Sequence, residues 1–224
     1  MSLVTGKGSE INFNSNVDLK KVFIRLKENE SVRVRVLGLT DYVEYKAHSD
    51  FNLKVYTQPC IEPTGKECPL CKASKSGVEG FDKLYPKKRY LFAFADIDSG
   101  ELRVWDCSKA QAKDLLGQIK EYKEDINDIA FNFKRTGTKT ETSYKLNPIL
   151  KMKGDDVDKF HKFDDVEVEL SFFESVLVPR TEQLMLDVLN DAGFPMKEFF
   201  PTYVKTGAEG AEPTQPVNDS DIPF

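Results

Sequence analysis

Residues 87–107 read KKRYLFAFADIDSGELRVWDC, and this stretch decides the fold. Two runs rich in aromatic and β-branched residues flank Asp98-Ser99-Gly100, the pattern of two strands joined by a tight turn. In the first run Phe92 and Phe94 share a face at period two, so both are expected in a core. Outward from this hairpin the pattern recurs. SVRVRVLGL (31–39) alternates Val with Arg as a half-buried strand does. IAFNFKRTGTKTETSYKLNPIL (129–150) carries aromatic alternation, a Gly-containing polar turn, and Tyr144 and Leu146 on the return; VEVELSFF (166–173) is a further strand candidate. Helical patterns are few: SKAQAKDLLGQIKEY opens at Ser108, and TEQLMLDVLNDAG opens at Thr181 and stops at Gly193. Short strands with turns and a few helices predict a mainly β, α+β chain built on a small Greek-key barrel.

The 224 residues, 40% hydrophobic and 31% charged, suit a globular protein with a sizeable core. No run of about 18 apolar residues is present, so no membrane is expected, and the first residues lack a basic-then-apolar leader. A cytoplasmic protein is the resulting expectation. The net charge of −5 disfavours a phosphate-binding surface, but its distribution does not. Lys46 to Phe94 holds nine Lys or Arg against five Asp or Glu, and Phe131 to Lys153 holds six against one. Asp155 to Glu174 reverses the sign with eight acids against two bases, and four further acids follow Thr206. The chain is therefore polarised into basic middle segments and an acidic C-terminal third.

CIEPTGKECPLCKAS sets Cys60, Cys68 and Cys71 in a C-x7-C-x2-C array. Two thiolates three positions apart can hold one tetrahedral Zn2+ from a single turn, and a structural site needs a fourth ligand. His48 is the expected fourth, with Cys107 as its competitor. A redox pair would open a helix within a βαβ unit, whereas this pair lies in a loop rich in Pro, Gly and Lys. Zinc deaminases require H-x-E and P-C-x-x-C; here His48-Ser49-Asp50 offers a short Asp and Pro69 lies inside the Cys pair. With four ligands no coordination position stays open for water, and only two histidines exist. No enzyme is expected.

Cations interleaved with aromatic rings remain to be explained. Tyr42, Tyr45, Lys46, Lys54 and Tyr56 precede Cys60; Lys83, Tyr85, Lys87, Lys88, Arg89 and Tyr90 follow Cys71. Trp105, Lys134, Arg135, Lys139 and Tyr144 complete the candidate set. Cations that track a backbone beside rings that stack on bases are what a single-stranded nucleic acid requires. No recognition helix rich in Arg, Asn and Gln points to duplex readout.

The order His48, Cys60, Cys68-Pro69-Leu70-Cys71, then basic-aromatic strands and an acidic tail, resembles the zinc-containing single-stranded DNA-binding (helix-destabilising) proteins of T-even-type bacteriophages. The likeness covers roughly residues 31–150 as an ordered set of motifs. It implies an OB-fold core with a zinc-bearing subdomain, structural Zn2+, and coating of single-stranded DNA in replication, recombination and repair. On this reading residues 1–205 form the core, with the zinc-binding insertion around 46–90, and residues 206–224 form a flexible acidic tail. The chain departs from that family in lacking a basic Lys-Arg-Ser-Thr-type segment near its N-terminus.

The last residues, DSDIPF, resemble the acidic tip of bacterial single-stranded DNA-binding proteins. The resemblance implies that Asp219 and Asp221 meet basic rims on replication, recombination or repair proteins, while Ile222, Pro223 and Phe224 fill a pocket. Two alternatives stay open. A zinc-ribbon interaction module would account for the cysteines and the tip but not for the charge segregation. An RNA-binding OB protein would account for all but the tip.

Overall fold

The hairpin foreseen at Asp98-Ser99-Gly100 is the spine of the molecule. In the computed structural model, which describes residues 18–205, strands β4 (Lys87–Asp96) and β5 (Glu101–Ser108) pair over their whole length, from Arg89 opposite Ser108 to Asp96 opposite Glu101. Gly100, at φ 72°, supplies the left-handed residue that the turn needs. The other edge of β4 is shared. Its first half pairs with β2 (Tyr42–Asp50), and its last residues pair with β1 (Ser31–Arg35). With β3 (Val55–Pro59), β6 (Ala130–Thr136) and β7 (Ser143–Ile149) this makes one seven-stranded sheet in which every strand pair is antiparallel.

Period-two alternation assigns the two faces. The inner face carries Phe92, Phe94, Trp105, Cys107, Phe131, Phe133, Tyr144 and Leu146, all buried together. Trp105 of β5 meets Tyr144 of β7 at 4.7 Å between ring centroids although those strands are not paired, so the sheet curls round its own core. Helix α3 (Lys109–Glu121) packs against this cluster through Ala112, Leu115 and Ile119, spaced at helical period. Its start is the expected one: Ser108 accepts from Gln111 N while the Gln111 side chain accepts from Ser108 N, a reciprocal capping box. On the outer face Leu91, Ala93 and Val104 are covered by α1 (Leu19–Val22) and α5 (Leu170–Val176).

Two features depart from the sequence reading. VEVELSFF is not a strand: residues 166–169 lead into α5, where Phe173 and Val176, three apart, are buried against the sheet. Helical spacing of these two side chains won because the outer face offered an apolar patch rather than an open strand edge. The second helix reading was right in place, since α6 (Glu182–Asp191) follows the Thr181 cap and ends before Gly193 at φ 85°. What was not read is its partner. Met185, Leu189, Phe194 and Met196 are buried with Val55, Ile61, Leu70, Leu84 and the three cysteines in a separate core. Among the described residues no helix is long and apolar enough to cross a membrane.

Candidate functional site

Four elements bring the cysteines and a histidine together. β2 carries His48 into the second core, opposite Gln58 of β3. Cys60 follows β3 at once and is fixed by its backbone N–H to the Lys46 carbonyl at 2.8 Å. A short 3-10 turn over Glu62–Thr64 reverses the chain at Gly65, φ 79°. Cys68 then caps α2 (Pro69–Ser74), and Cys71 lies in its first turn. Pro69 suits the first helical position, where its missing N–H costs nothing.

The geometry is that of a compact, buried four-ligand cluster. His48, Cys60, Cys68 and Cys71 are all buried, and their ligand atoms all lie within 4.8 Å of one another. Cys60 and Cys71 sulfurs are 3.5 Å apart, and His48 Nε2 is 3.4 Å from Cys68 Sγ and 3.6 Å from Cys71 Sγ. Standard Zn–S and Zn–N bond lengths in a tetrahedron give edges of about 3.8 Å between sulfurs and about 3.6 Å between sulfur and nitrogen. The other ring nitrogen, His48 Nδ1, donates to the Leu84 carbonyl at 2.6 Å, which orients the imidazole and leaves Nε2 as the ligand atom. Burial pushes the Cys60 and Cys71 thiols up; it is the largest single effect on Cys68 too, but His48 and hydrogen bonds to the Cys71 and Ile61 backbone together draw that thiol down to about 6. Three buried sulfurs can be thiolates together only beside a cation, so this group could hold a metal ion. Cys107 does not compete, since it is fully buried in the first core beside Tyr90.

No family model matches the chain, and no curated protein matches it.

The candidate nucleic-acid residues divide by face. On the inner-facing side of the β2–β4 pair, Lys46 lies opposite Lys88, Glu44 opposite Tyr90, and Tyr42 opposite Phe92. Tyr42 stacks on Phe92 with ring centroids 4.9 Å apart, and Tyr90 tilts beside it at 6.5 Å. Both tyrosines are half-buried at the mouth of the core, and Lys46 and Lys88 are exposed next to them. Glu44 accepts from Lys88 Nζ at 2.8 Å and from the Tyr90 hydroxyl at 2.7 Å, so one carboxylate ties a cation to a ring. Around the His48 and cysteine cluster, Lys54, Tyr56, Lys83 and Tyr85 are exposed, and Lys87 Nζ sits 5.3 Å from the Tyr85 ring centroid.

Other members leave the set. Trp105 is 1% exposed, wedged between Phe92, Phe133 and Tyr144, so no base can stack on it. Tyr144 is 7% exposed and stacks on Phe133 in the same core. Arg89 points to the opposite face of β4 from Lys88, where it is buried and makes a two-pronged pair with Asp106 at 3.0 Å. Tyr45 joins that pair through its hydroxyl to Asp106 at 2.9 Å. Arg135 donates to the Leu26 carbonyl at 2.8 Å and so ties the N-terminal segment down. In each case the sequence showed a cation or a ring but not which face of a strand it occupies. Lys134 and Lys139 lie on the β6–β7 hairpin, away from the β2–β4 face. Asp219, Asp221, Ile222, Pro223 and Phe224 lie outside the described residues.

Glu44 was missed by reading the sequence because a single acid among cations carries no signal until the strand register pairs it with Tyr90.

Proposed function

We propose that the protein binds single-stranded DNA without regard to sequence, on the β2–β4 face. The observation that carries this reading is the rung order on that face: Tyr42 and Tyr90 half-exposed beside the directly opposed pair Lys46 and Lys88. Glu44 already neutralises Lys88 in the free protein, so an anionic strand on this face would compete with that carboxylate for Lys88 and meet Lys46 beside it. Lysines would hold successive phosphates while bases stack on the tyrosine rings, an arrangement indifferent to base identity. A sheet curled round Trp105 and Phe133 and closed by α3 supports reading the first core as an OB-type barrel.

The metal is read as Zn2+, because three thiolates and one imidazole in a small tetrahedron suit zinc above harder cations. Its role here is structural: four protein ligands leave no position for a substrate. Bound zinc would hold β2, β3, α2 and the loop to Leu84 as one unit, which sets the Lys83 to Lys88 segment beside the β2–β4 face. Coating of single strands in replication, recombination and repair, with recruitment of partner proteins through the DSDIPF tip, completes the proposal.

Titration of a labelled oligo-dT against a matched duplex and a matched RNA, at two salt concentrations, tests it. Salt-sensitive preference for the single DNA strand is the expected result. Absence of binding to oligo-dT at low salt would overturn the reading.

A further inference from the structure

Alternation along β6 and β7 sends Phe131, Phe133, Tyr144 and Leu146 inward, with Arg135 and Pro148 on the same side, which leaves the alternate residues on the outer face. Four rungs form there: Ala130 opposite Ile149, which packs under Phe160, and three polar ones, Thr136 opposite Ser143, Lys134 opposite Lys145, and Asn132 opposite Asn147. The hydroxyls of the first polar rung are 3.3 Å apart, and the third polar rung is closed by Asn147 Nδ2 donating to the Asn132 carbonyl at 3.4 Å. None of the six side chains of the three polar rungs is acidic. Among the described residues neither lysine makes an ion pair, while the acids Asp98 and Asp156 are taken by Arg33, which lies opposite Asn132 on β1. A lysine directly opposite a lysine with no acid between them costs the hairpin stability.

The face is also apart from the β2–β4 site. Lys46, Lys88, Tyr42 and Tyr90 project on the inner-facing side of the sheet; Lys134 and Lys145 project on the outer side. One short strand segment cannot touch both. β7 is an edge strand, so a strand leaving the first face has a route round that edge. Rungs on one face of a sheet recur every ~7 Å along the strands, a pitch close to that of phosphates in an extended single strand.

We infer that the outer face of the β6–β7 hairpin is a second track for the phosphate backbone of the same single-stranded DNA, centred on Lys134 and Lys145. The inference rests on the single-strand-binding reading above and deepens it: a long strand is held on two faces, a short one on the β2–β4 face alone. No aromatic ring lies among the six, so this track grips phosphates and leaves bases unread.

The test uses the full chain and its Lys134→Gln/Lys145→Gln variant with two oligo-dT lengths, about 8 nucleotides, within the span of one OB-type site, and about 30, well beyond it. For the long oligonucleotide the slope of log affinity against log salt is expected to fall by about 1.4 in the variant, since each lost phosphate contact on a single strand removes about 0.7. For the short one the slope is expected to stay as in the wild type. Lys145→Gln alone, at an exposed position, is expected to remove half of the long-strand effect. A slope unchanged at both lengths, or lowered equally at both, overturns the second track while leaving the first reading standing. Wild-type protein that binds neither oligonucleotide overturns both.

Discussion

His48 Nδ1 donates to the carbonyl of Leu84 at 2.6 Å, so a loop residue 36 positions away fixes which ring nitrogen faces the three cysteines. The same loop leads from that carbonyl to Lys87 and Lys88 within four residues. The His48 and cysteine cluster and the basic face are therefore mechanically joined, and loss of one is expected to disturb the other.

Removal of the metal, by a strong chelator or by Cys68→Ser, is expected to unfold the second core. Met185 and Leu189 of α6 are buried against the cysteine loop, so the C-terminal helices lose their support as well. Loss of a structural metal site is expected to cost more than ~4 kcal/mol, a fall in melting temperature of ~8–16 °C for a chain of this size. Metal analysis of the purified protein is expected to give one zinc per chain. Thermal melts with and without chelator that coincide would refute the structural role.

Trp105 is the sole tryptophan, so its fluorescence reports one site. At 1% exposure it is expected to emit at short wavelength. Trp105→Phe is expected to keep oligo-dT affinity within about twofold, whereas Trp105→Ala is expected to cost ~3–5 kcal/mol of stability by leaving a cavity. A large, selective loss of DNA binding in Trp105→Phe, with unchanged melting, would return this residue to the interface.

On the β2–β4 face Tyr90→Ala is expected to lower oligo-dT affinity by about 5- to 150-fold, the range of one lost base-stacking contact. Tyr90→Phe keeps the ring and loses only the bond to Glu44, so it is expected to bind as well as the wild type or better. Glu44→Gln removes the negative charge that Lys88 now neutralises. A two- to fivefold gain in affinity is expected, in line with the small value of an exposed ion pair. Binding titrations on the three variants decide this, and a weaker Glu44→Gln protein would mean that the carboxylate supports the site.

Acid is expected to loosen α4 (Asp155–His161) and its following turn from the sheet. Arg33 holds the Asp156 carboxyl, and Arg35 with His161 holds the Asp164 carboxyl, below the usual carboxylate range. A carboxylate with a lowered folded-state pKa adds stability that is fully present above its unfolded value of about 3.9 and is lost as pH falls through the lowered folded value. Chemical denaturation from pH 6 downward is therefore expected to show a steeper acid limb in the wild type than in Asp164→Asn. Parallel limbs would show that the Arg35 contact is energetically silent.

The hairpin at 87–107, the strand before it at 31, the β6–β7 pair and both long helices were legible in the sequence, because period-two or period-3.6 alternation and turn residues are local properties. The four residues that could hold a metal ion were legible for a related reason: Cys spacing within one loop and a lone histidine upstream leave few ways to build a tetrahedron. Alternation also placed Phe92 and Phe94 in the core. It could not say that Trp105 and Tyr144 join them, nor that Arg89 turns away from Lys88 toward Asp106. Those outcomes depend on which face of each strand the curled sheet turns inward, and on cross-strand register, which pairs residues distant in sequence. Tertiary structure alone decided that α6 packs beneath the cysteine loop, that Glu44 stands between Lys88 and Tyr90, and that Lys134 faces Lys145 on the outer side of the sheet. The chain order supplies residue types and local periods; the choice among faces is made by burial, which is a property of the whole fold.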